Sequence, residues 1–323
     1  MVRIGVLGCA NIAERMVIPA IKNLKSEFKL VAISSRSEQK AFDFASKFDA
    51  LPILGYDNLI DRTDIDAIYM PLPTGIHHEW ILKSFQTGKH VICEKSLGLN
   101  FTSTQELVET AKLKNLSLME NFMFKYHNQH KIVWEHLQNN HIGDIKLFRS
   151  QFCFPPLQKD NFRYDPGLGG GSLLDAGAYT VMASRWFLGN DQEVISSVLY
   201  DEPKKGTNIY GNVSLLSKKG IVSQLSFGFD NYYQCNYDIH GSLGRLFLEK
   251  AFTPKPEEPT KVLLETNLNK TSVLVNPDNH FQNILSEFRR SIIKCDNQKH
   301  YDDILDQSNT LTKIYDSSIK IQL

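Results

Sequence analysis

Cysteine is scarce in this 323-residue chain: five residues, at Cys9, Cys93, Cys153, Cys235 and Cys295. None stands in a CxxC pair and the number is odd. Neither a disulfide framework nor a cysteine-based zinc module is expected, and a reduced, cytoplasmic setting is the simplest one. Charge of one sign is not in excess either, since 36 Lys and Arg balance 36 Asp and Glu. That gives no support for a nucleic-acid partner or an anionic membrane surface. No apolar run approaches the ~18 residues of a spanning helix. The first strand begins at Val2, which leaves no room for a signal peptide. Repeats, low-complexity tracts, HExxH, G-x-S-x-G and the P-loop are all missing. Adjacent His77 and His78 diverge and have no third ligand at zinc spacing, so no metal is expected.

What remains is an ordinary globular composition, 42% apolar and 22% charged, with length for about two domains. Apolar runs at Val2 to Leu7, Lys29 to Ser34, Ala67 to Met70, Val91 to Cys93 and Leu116 to Met119 read as strands. Helical patterns separate them at Ala13 to Leu24, Glu38 to Phe48, Glu79 to Thr87 and Ser103 to Lys114. Strands alternating with helices imply βαβ units and a parallel sheet. The pattern changes near residues 120–125. After a helix at Gln129 to Asn139 come strand patterns at Lys146 to Phe154, Val194 to Tyr200, Asn208 to Leu216, Gly220 to Phe229, Gln234 to His240 and Gly244 to Glu249. Several alternate apolar and polar residues, as an antiparallel sheet with one covered face does. A helix near Gly171 to Leu188 interrupts them, and helices at Phe281 to Ile293 and Asp303 to Ile319 close the chain. The fold class is therefore α/β plus α+β. Residues 1–122 form a doubly wound parallel domain and residues 123–323 a mainly antiparallel, open-faced one, with the last helix able to pack back on the first domain.

Gly8-x-Ala10-x-x-Ala13 is a degenerate dinucleotide turn. Gly8 permits the tight turn, the small Ala10 lets the main chain approach a pyrophosphate, and Ala13 lets helix pack on strand. Asn11 and Ile12 fall at the helix N-terminus, which favours phosphate charge. At the end of the second strand an NAD site usually carries Asp or Glu. Here the segment is Ile33-Ser34-Ser35-Arg36-Ser37. Ser35 and Arg36 suit a 2′-phosphate, because a guanidinium binds it through charge-assisted hydrogen bonds. NADP(H) is expected ahead of NAD(H).

Asp175 and Tyr179 are spaced i, i+4 and would share one helix face. Gly169-Gly170-Gly171 before them suit a chain that bends near a ligand. Glu94-Lys95 ends a buried-looking strand, where a charged pair needs a partner or a task.

The stretches IGVLGCANIA, MPLPTGIHHEW, CEKSLGLN, MENFMFKYHNQH and GGGSLLDAGAY together resemble the glucose–fructose oxidoreductase/inositol dehydrogenase (Gfo/Idh/MocA) family over nearly the whole chain. The Asp175–Tyr179 pair and Ala251-Phe252-Thr253-Pro254 look like its nucleotide-sugar ketoreductase and dihydrodiol dehydrogenase members. The resemblance implies a Rossmann domain, an open-faced sheet, and a homodimer or homotetramer formed through that sheet. Tyr232 and Tyr233 are expected at such an interface ahead of the alternative, substrate contacts on the sheet. By the same resemblance Leu72, Pro73, Thr74 and His77 line the cofactor, and Glu94 and Lys95 match the family's Glu-Lys-Pro, whose lysine reaches nicotinamide ribose and substrate. Two departures stand out. Ser96 replaces the proline, so the rigid turn is expected to be lost, and Lys125 and Asn128 replace an Arg and a Pro.

The expected chemistry is reduction of a keto group on a sugar, nucleotide-linked as in deoxysugar pathways. Tyr179 supplies the proton, and Lys95 both stabilises the developing oxyanion and favours the phenolate. Asp175 orients Tyr179 or substrate hydroxyls, or joins a proton relay. Lys125, Arg163 and Tyr164 are candidate substrate contacts, Arg163 and Tyr164 for a diphosphate or sugar ring. The other readings are a dehydrogenase of a diol or polyol, glycosidic cleavage with retained NAD (against which Arg36 argues), and a non-catalytic NADP sensor, which would need none of Lys95, Asp175 and Tyr179.

Overall fold

A six-stranded parallel sheet organises the N-terminal part of the chain. The computed structural model describes residues 1–202 and 206–323. Strands β1 (Val2–Leu7), β2 (Phe28–Ser35), β3 (Leu51–Leu54), β4 (Ala67–Met70), β5 (His90–Cys93) and β6 (Leu118–Glu120) lie in the order β3-β2-β1-β4-β5-β6. Helices α1 (Ile18–Asn23), α2 (Glu38–Phe48), α3 (Asp57–Ile60), α4 (His77–Gln86) and α5 (Phe101–Lys114) alternate with them. Every residue of β4 is fully buried, as expected of a strand covered on both faces. The strand order reverses between β1 and β4. In open α/β sheets that reversal makes a crevice at the carboxyl ends of the strands, where ligands bind. The turn after β1 and the segment after β4 therefore fall on the functional edge. Capping sets the helix limits: Ser37 Oγ accepts the Lys40 N–H at the start of α2 and Asn100 Oδ1 the Ser103 N–H at the start of α5, each worth about 1 kcal/mol. The left-handed Asp49 and Asn115 end the same two helices.

Met1–Met123 and Phe281–Ser308 form one compact unit, and Phe124–His280 with Asn309–Leu323 form a second. In the first, Tyr301 and Ile304 join the core that contains Ile68, Phe85 and Leu107. They come from α9 (Gln298–Asp316), which follows α6 (Asn128–Gln138), α7 (Ala178–Leu188) and α8 (His280–Lys294).

The second unit is built on a nine-stranded sheet. Its strands are β7 (Ile145–Phe154), β8 (Gln192–Glu202), β9 (Thr207–Ser217), β10 (Val222–Phe229), β11 (Gln234–Gly241), β12 (Gly244–Leu248), β13 (Thr260–Thr266), β14 (Lys270–Val275) and β15 (Ile319–Gln322). The order is β14-β13-β12-β11-β7-β10-β9-β8-β15. Pairing is antiparallel except for β7 with β10 and β8 with β15. Alternate residues Phe148, Ser150 and Phe152 of β7 are buried, and α7 packs on that face, against β7 and β10.

Several elements depart from the sequence expectation. β3 contains Pro52, a residue usually confined to sheet edges, and it is an edge strand. β13 and β14 form a hairpin whose second strand is mostly exposed, so it carries little apolar alternation. The closing helix stops at Asp316, and Ile319 begins a strand. Two expected helices, Ala13 to Leu24 and Gly171 to Leu188, contain π-helical turns at Ala13–Val17 and Leu173–Gly177.

Candidate active site

The candidate cofactor residues all belong to the first unit. Gly8 adopts a left-handed φ of 124°, and its N–H donates to Ser34 O at 3.1 Å. A Cβ at Gly8 would meet Leu72 Cδ2 at 2.8 Å. Glycine is therefore required twice, for its φ and for its close approach to the β4 segment. Ala10 and Ile12 are half-buried and Asn11 is exposed where the chain becomes helical. At the end of β2, Ser35 is buried and its Oγ accepts the Ser37 N–H at 3.2 Å. Arg36 is exposed, and its positive charge opposes the rise that burial causes in the pKa of buried Tyr56. A glycine-lined turn beside a strand end that carries Ser, Arg and Ser but no acid fits a phosphorylated dinucleotide.

Leu72 is buried, and Pro73 and Thr74 are half-buried. His77 is placed differently from expectation. Its ring is fully buried, with Nε2 2.7 Å from Leu72 O and Nδ1 3.0 Å from Ser96 O and 3.2 Å from Leu97 O. His77 thus links the loops that follow β4 and β5. Burial is the largest cause of its lowered pKa. The turn after Lys95 is also held from β6, because the Leu97 N–H donates to Glu120 Oε1 at 2.8 Å. The Lys95–Ser96 peptide is cis, and Ser96 is buried. Where the proline is missing, His77 and Glu120 contact the turn. Glu94 Oε1 accepts hydrogen bonds from Tyr69 Oη at 2.7 Å and Asn121 Nδ2 at 2.6 Å. Burial raises the Glu94 pKa, opposed by these two donors and by Lys95.

The remaining candidates belong to the second unit. Asp175 lies in the π-helical turn and Tyr179 on α7. The Tyr179 ring is buried against Phe152, Phe252 and Phe124, at centroid distances of 5.1, 5.6 and 5.9 Å. Arg163 Nε donates to Asp175 Oδ2 at 2.5 Å. Tyr164 is buried and its phenol oxygen accepts the Leu157 N–H at 3.1 Å, so it supports the loop. The Lys125 ammonium lies 5.9 Å from the centre of the Trp186 ring. Sequence reasoning missed Tyr56, Tyr69, Glu120, Asn121 and Asn208, whose Oδ1 accepts the Leu173 N–H at 2.8 Å and the Ser172 hydroxyl at 3.0 Å. Glu120 and Asn121 sit in the quoted MENF stretch, which was the available signal; single polar residues such as Tyr56 and Asn208 gave none.

The profile described as "Oxidoreductase family, NAD-binding Rossmann fold" matches residues 2–122. The GFO/IDH/MocA C-terminal domain matches residues 130–247. The chain belongs to the Gfo/Idh/MocA oxidoreductase family. It is therefore an NAD(P)-dependent oxidoreductase. Among its relatives, a dTDP-3,4-didehydro-2,6-dideoxy-alpha-D-glucose 3-reductase from Saccharopolyspora spinosa is 38% identical over 291 residues, 90% of this chain and 87% of that protein. A reductase of the same description from Actinomadura kijaniata is 34% identical over 314 residues, 97% of this chain and 94% of that one. A solved 3-ketoreductase from Actinomadura kijaniata, in complex with NADP and TDP-benzene, has a TM-score of 0.97 at 34% identity, covering 100% of this chain and 99% of its own. Among the described residues of this family member no helix is long and apolar enough to cross a membrane.

Proposed function

We propose that this enzyme uses NADPH to reduce the 3-keto group of a dTDP-linked deoxysugar. The observation that carries the reading is agreement along nearly the full chain with 3-reductases of dTDP-sugars, 34% identity over 97% of this chain in one case. The Ser35-Arg36-Ser37 strand end supports the choice of NADPH.

Gly8, Ala10, Asn11 and Ile12 would hold the pyrophosphate, Ser35 and Arg36 the 2′-phosphate, and Leu72, Pro73, Thr74, Glu94 and Lys95 the ribose and nicotinamide end. When bound, NADPH supplies a hydride to the keto carbon. Tyr179 gives its phenolic proton to the carbonyl oxygen, and the Lys95 ammonium stabilises negative charge that develops there. Phe124, Phe152 and Phe252 fix the Tyr179 ring and exclude water from it. Asp175 contributes a fixed negative charge on the same helical segment. Lys125 is assigned to the substrate.

The five thiols are unbridged, which suits a reducing cytoplasm. Assembly into a homodimer or homotetramer through the nine-stranded sheet belongs to the same proposal, and light scattering tests it. The functional test is NADPH consumption measured by absorbance with a dTDP-linked 3-keto sugar, other keto-sugars and trans-diols with NADP. Turnover confined to the diols, or cofactor binding without turnover of any substrate, overturns the reading.

A further inference from the structure

Arg163 carries a guanidinium in a loop expected to touch substrate, yet its surroundings direct it inward. Its Nε donates to Asp175 Oδ2 at 2.5 Å, the two side chains being 31% and 16% exposed. The Phe162 ring lies 4.7 Å from the guanidinium carbon. The main chain holds the arginine there. Its N–H donates to Asn161 Oδ1 at 3.1 Å, and its carbonyl accepts the Gly171 N–H at 2.9 Å. A Cβ at Gly170 would stand 2.5 Å from that carbonyl oxygen, so the close return of the chain requires glycine. The carboxylate end is latched separately. Asn208 binds Ser172 and Leu173, and the Asp175 N–H donates to Gly171 O at 3.3 Å. Both partners are fixed by their own main chains before they meet. A guanidinium at hydrogen-bond distance favours an ionised carboxylate.

We propose that Arg163 is a positioning residue: its guanidinium fixes the Asp175 carboxylate and keeps it ionised, so that Asp175 enters the reaction as a stationary anion and not as a proton carrier. The proposal deepens the carbonyl-reduction reading and rests on it for its kinetic consequences. It removes Arg163 from the residues that bind the substrate diphosphate. It also leaves Tyr179 as the proton donor of the pair.

The test is a carboxyl-¹³C NMR titration of Asp175 in the full-length protein, wild type against Arg163→Gln, with pH profiles of kcat alongside. The expected result is a titration midpoint about 1–3 pH units higher in the variant, the size of an Arg effect on an adjacent Asp. The acid limb of kcat moves up with it, the substrate KM stays within about threefold, and Arg163→Lys recovers part of both shifts, since a lysine keeps the charge without the planar fork. An unchanged midpoint overturns the proposal, as does a raised KM with an unchanged kcat profile. Should Arg163→Gln fail to fold, Arg163→Lys decides, by a smaller upward shift or none. Absence of turnover in the wild type would refute the function and leave the NMR comparison to decide the role of Arg163.

Discussion

Mild acid is expected to destabilise the second unit through two buried histidines. His130 is 1% exposed and His280 fully buried. Burial holds both side chains far below the ordinary imidazole value, at about 3. The bonding of His130 agrees with a neutral ring: the Tyr237 hydroxyl at 2.8 Å donates to Nδ1, and Nε2–H donates to Ala251 O at 3.1 Å. A second proton on Nδ1 would face that hydroxyl. His127 adds repulsion, since its ring centre is 5.6 Å from that of His280 and its charge disfavours charge on both neighbours.

The sign follows from proton counting. Between the folded value of about 3 and the unfolded value of about 6.5, the unfolded chain binds more protons than the folded one, so stability falls as pH falls. Each unit below 6.5 costs about 1.36 kcal/mol per histidine, so at about pH 5 the pair removes roughly 4 kcal/mol. A domain has about 5–15 kcal/mol in all. Above about pH 7 neither histidine contributes a pH dependence. The assay is urea unfolding from pH 7 to pH 5, wild type against His130→Gln, whose amide can still accept from Tyr237 and donate to Ala251. The wild type should lose roughly 2 kcal/mol more than the variant over that range. Equal losses would mean that His130 is not the buried neutral base inferred from its partners.

Arg36→Ala should raise the NADPH dissociation constant about 10- to 100-fold, as loss of charge-assisted hydrogen bonds worth roughly 1.5–3 kcal/mol implies, while NADH binding changes little; equal weakening of both cofactors would refute the 2′-phosphate assignment. His77→Leu removes the ring whose nitrogens stand 2.7–3.2 Å from Leu72 O, Ser96 O and Leu97 O. It should lower stability by about 1–3 kcal/mol and weaken NADPH binding, with a Gln substitution recovering part; an unaltered melting temperature and affinity would refute the clamp. Tyr179→Phe and Lys95→Ala should each lower kcat about 100-fold or more with the fold intact by circular dichroism, and retained turnover in both would remove them from the chemistry. Gly170→Ala places a Cβ 2.5 Å from Arg163 O and 2.8 Å from Asp165 O, both main-chain atoms. It should cost at least about 1–3 kcal/mol, and a wild-type unfolding midpoint would show that this chain return is not rigid.

Much of the fold was legible because burial writes itself into sequence at fixed periods. β1, β2, β4 and β5 are apolar runs ended by glycine, proline or polar residues, and their alternation with helices implied the parallel sheet. The exposed strands left no such trace: β15 has all four residues exposed, and of these only Ile319 falls in an expected element, the closing helix. The charged and small residues of the site were visible as types, but their partners were not. Pairings such as His77 with Leu97, Glu94 with Tyr69 and Arg163 with Asp175 join residues 20, 25 and 12 positions apart. No periodicity encodes such pairs. The sequence also could not show which polar groups a side chain meets. Tyr164 and His77 have the chemistry of ligand contacts, yet their polar atoms meet main-chain groups.

The two π-helical turns explain why helix spacing alone was a poor guide to the site. Such turns are rare, and they recur at functional positions. Here one directly follows the dinucleotide turn and the other contains Asp175. In the first, the Ile18 N–H reaches back five residues to Ala13 O, so the helix opens on a wider turn than a 3.6-residue period allows. In the second, Asp175 sits in the widened turn while Tyr179 stands on the regular helix that follows. The i, i+4 argument therefore identified the right segment for a reason that holds only in part. What aims Asp175 is the local widening together with Asn208, which holds Ser172 and Leu173, and Arg163, which binds the carboxylate. A substitution that restored α-helical spacing at Leu173–Gly177 would redirect the carboxylate even with every site residue retained.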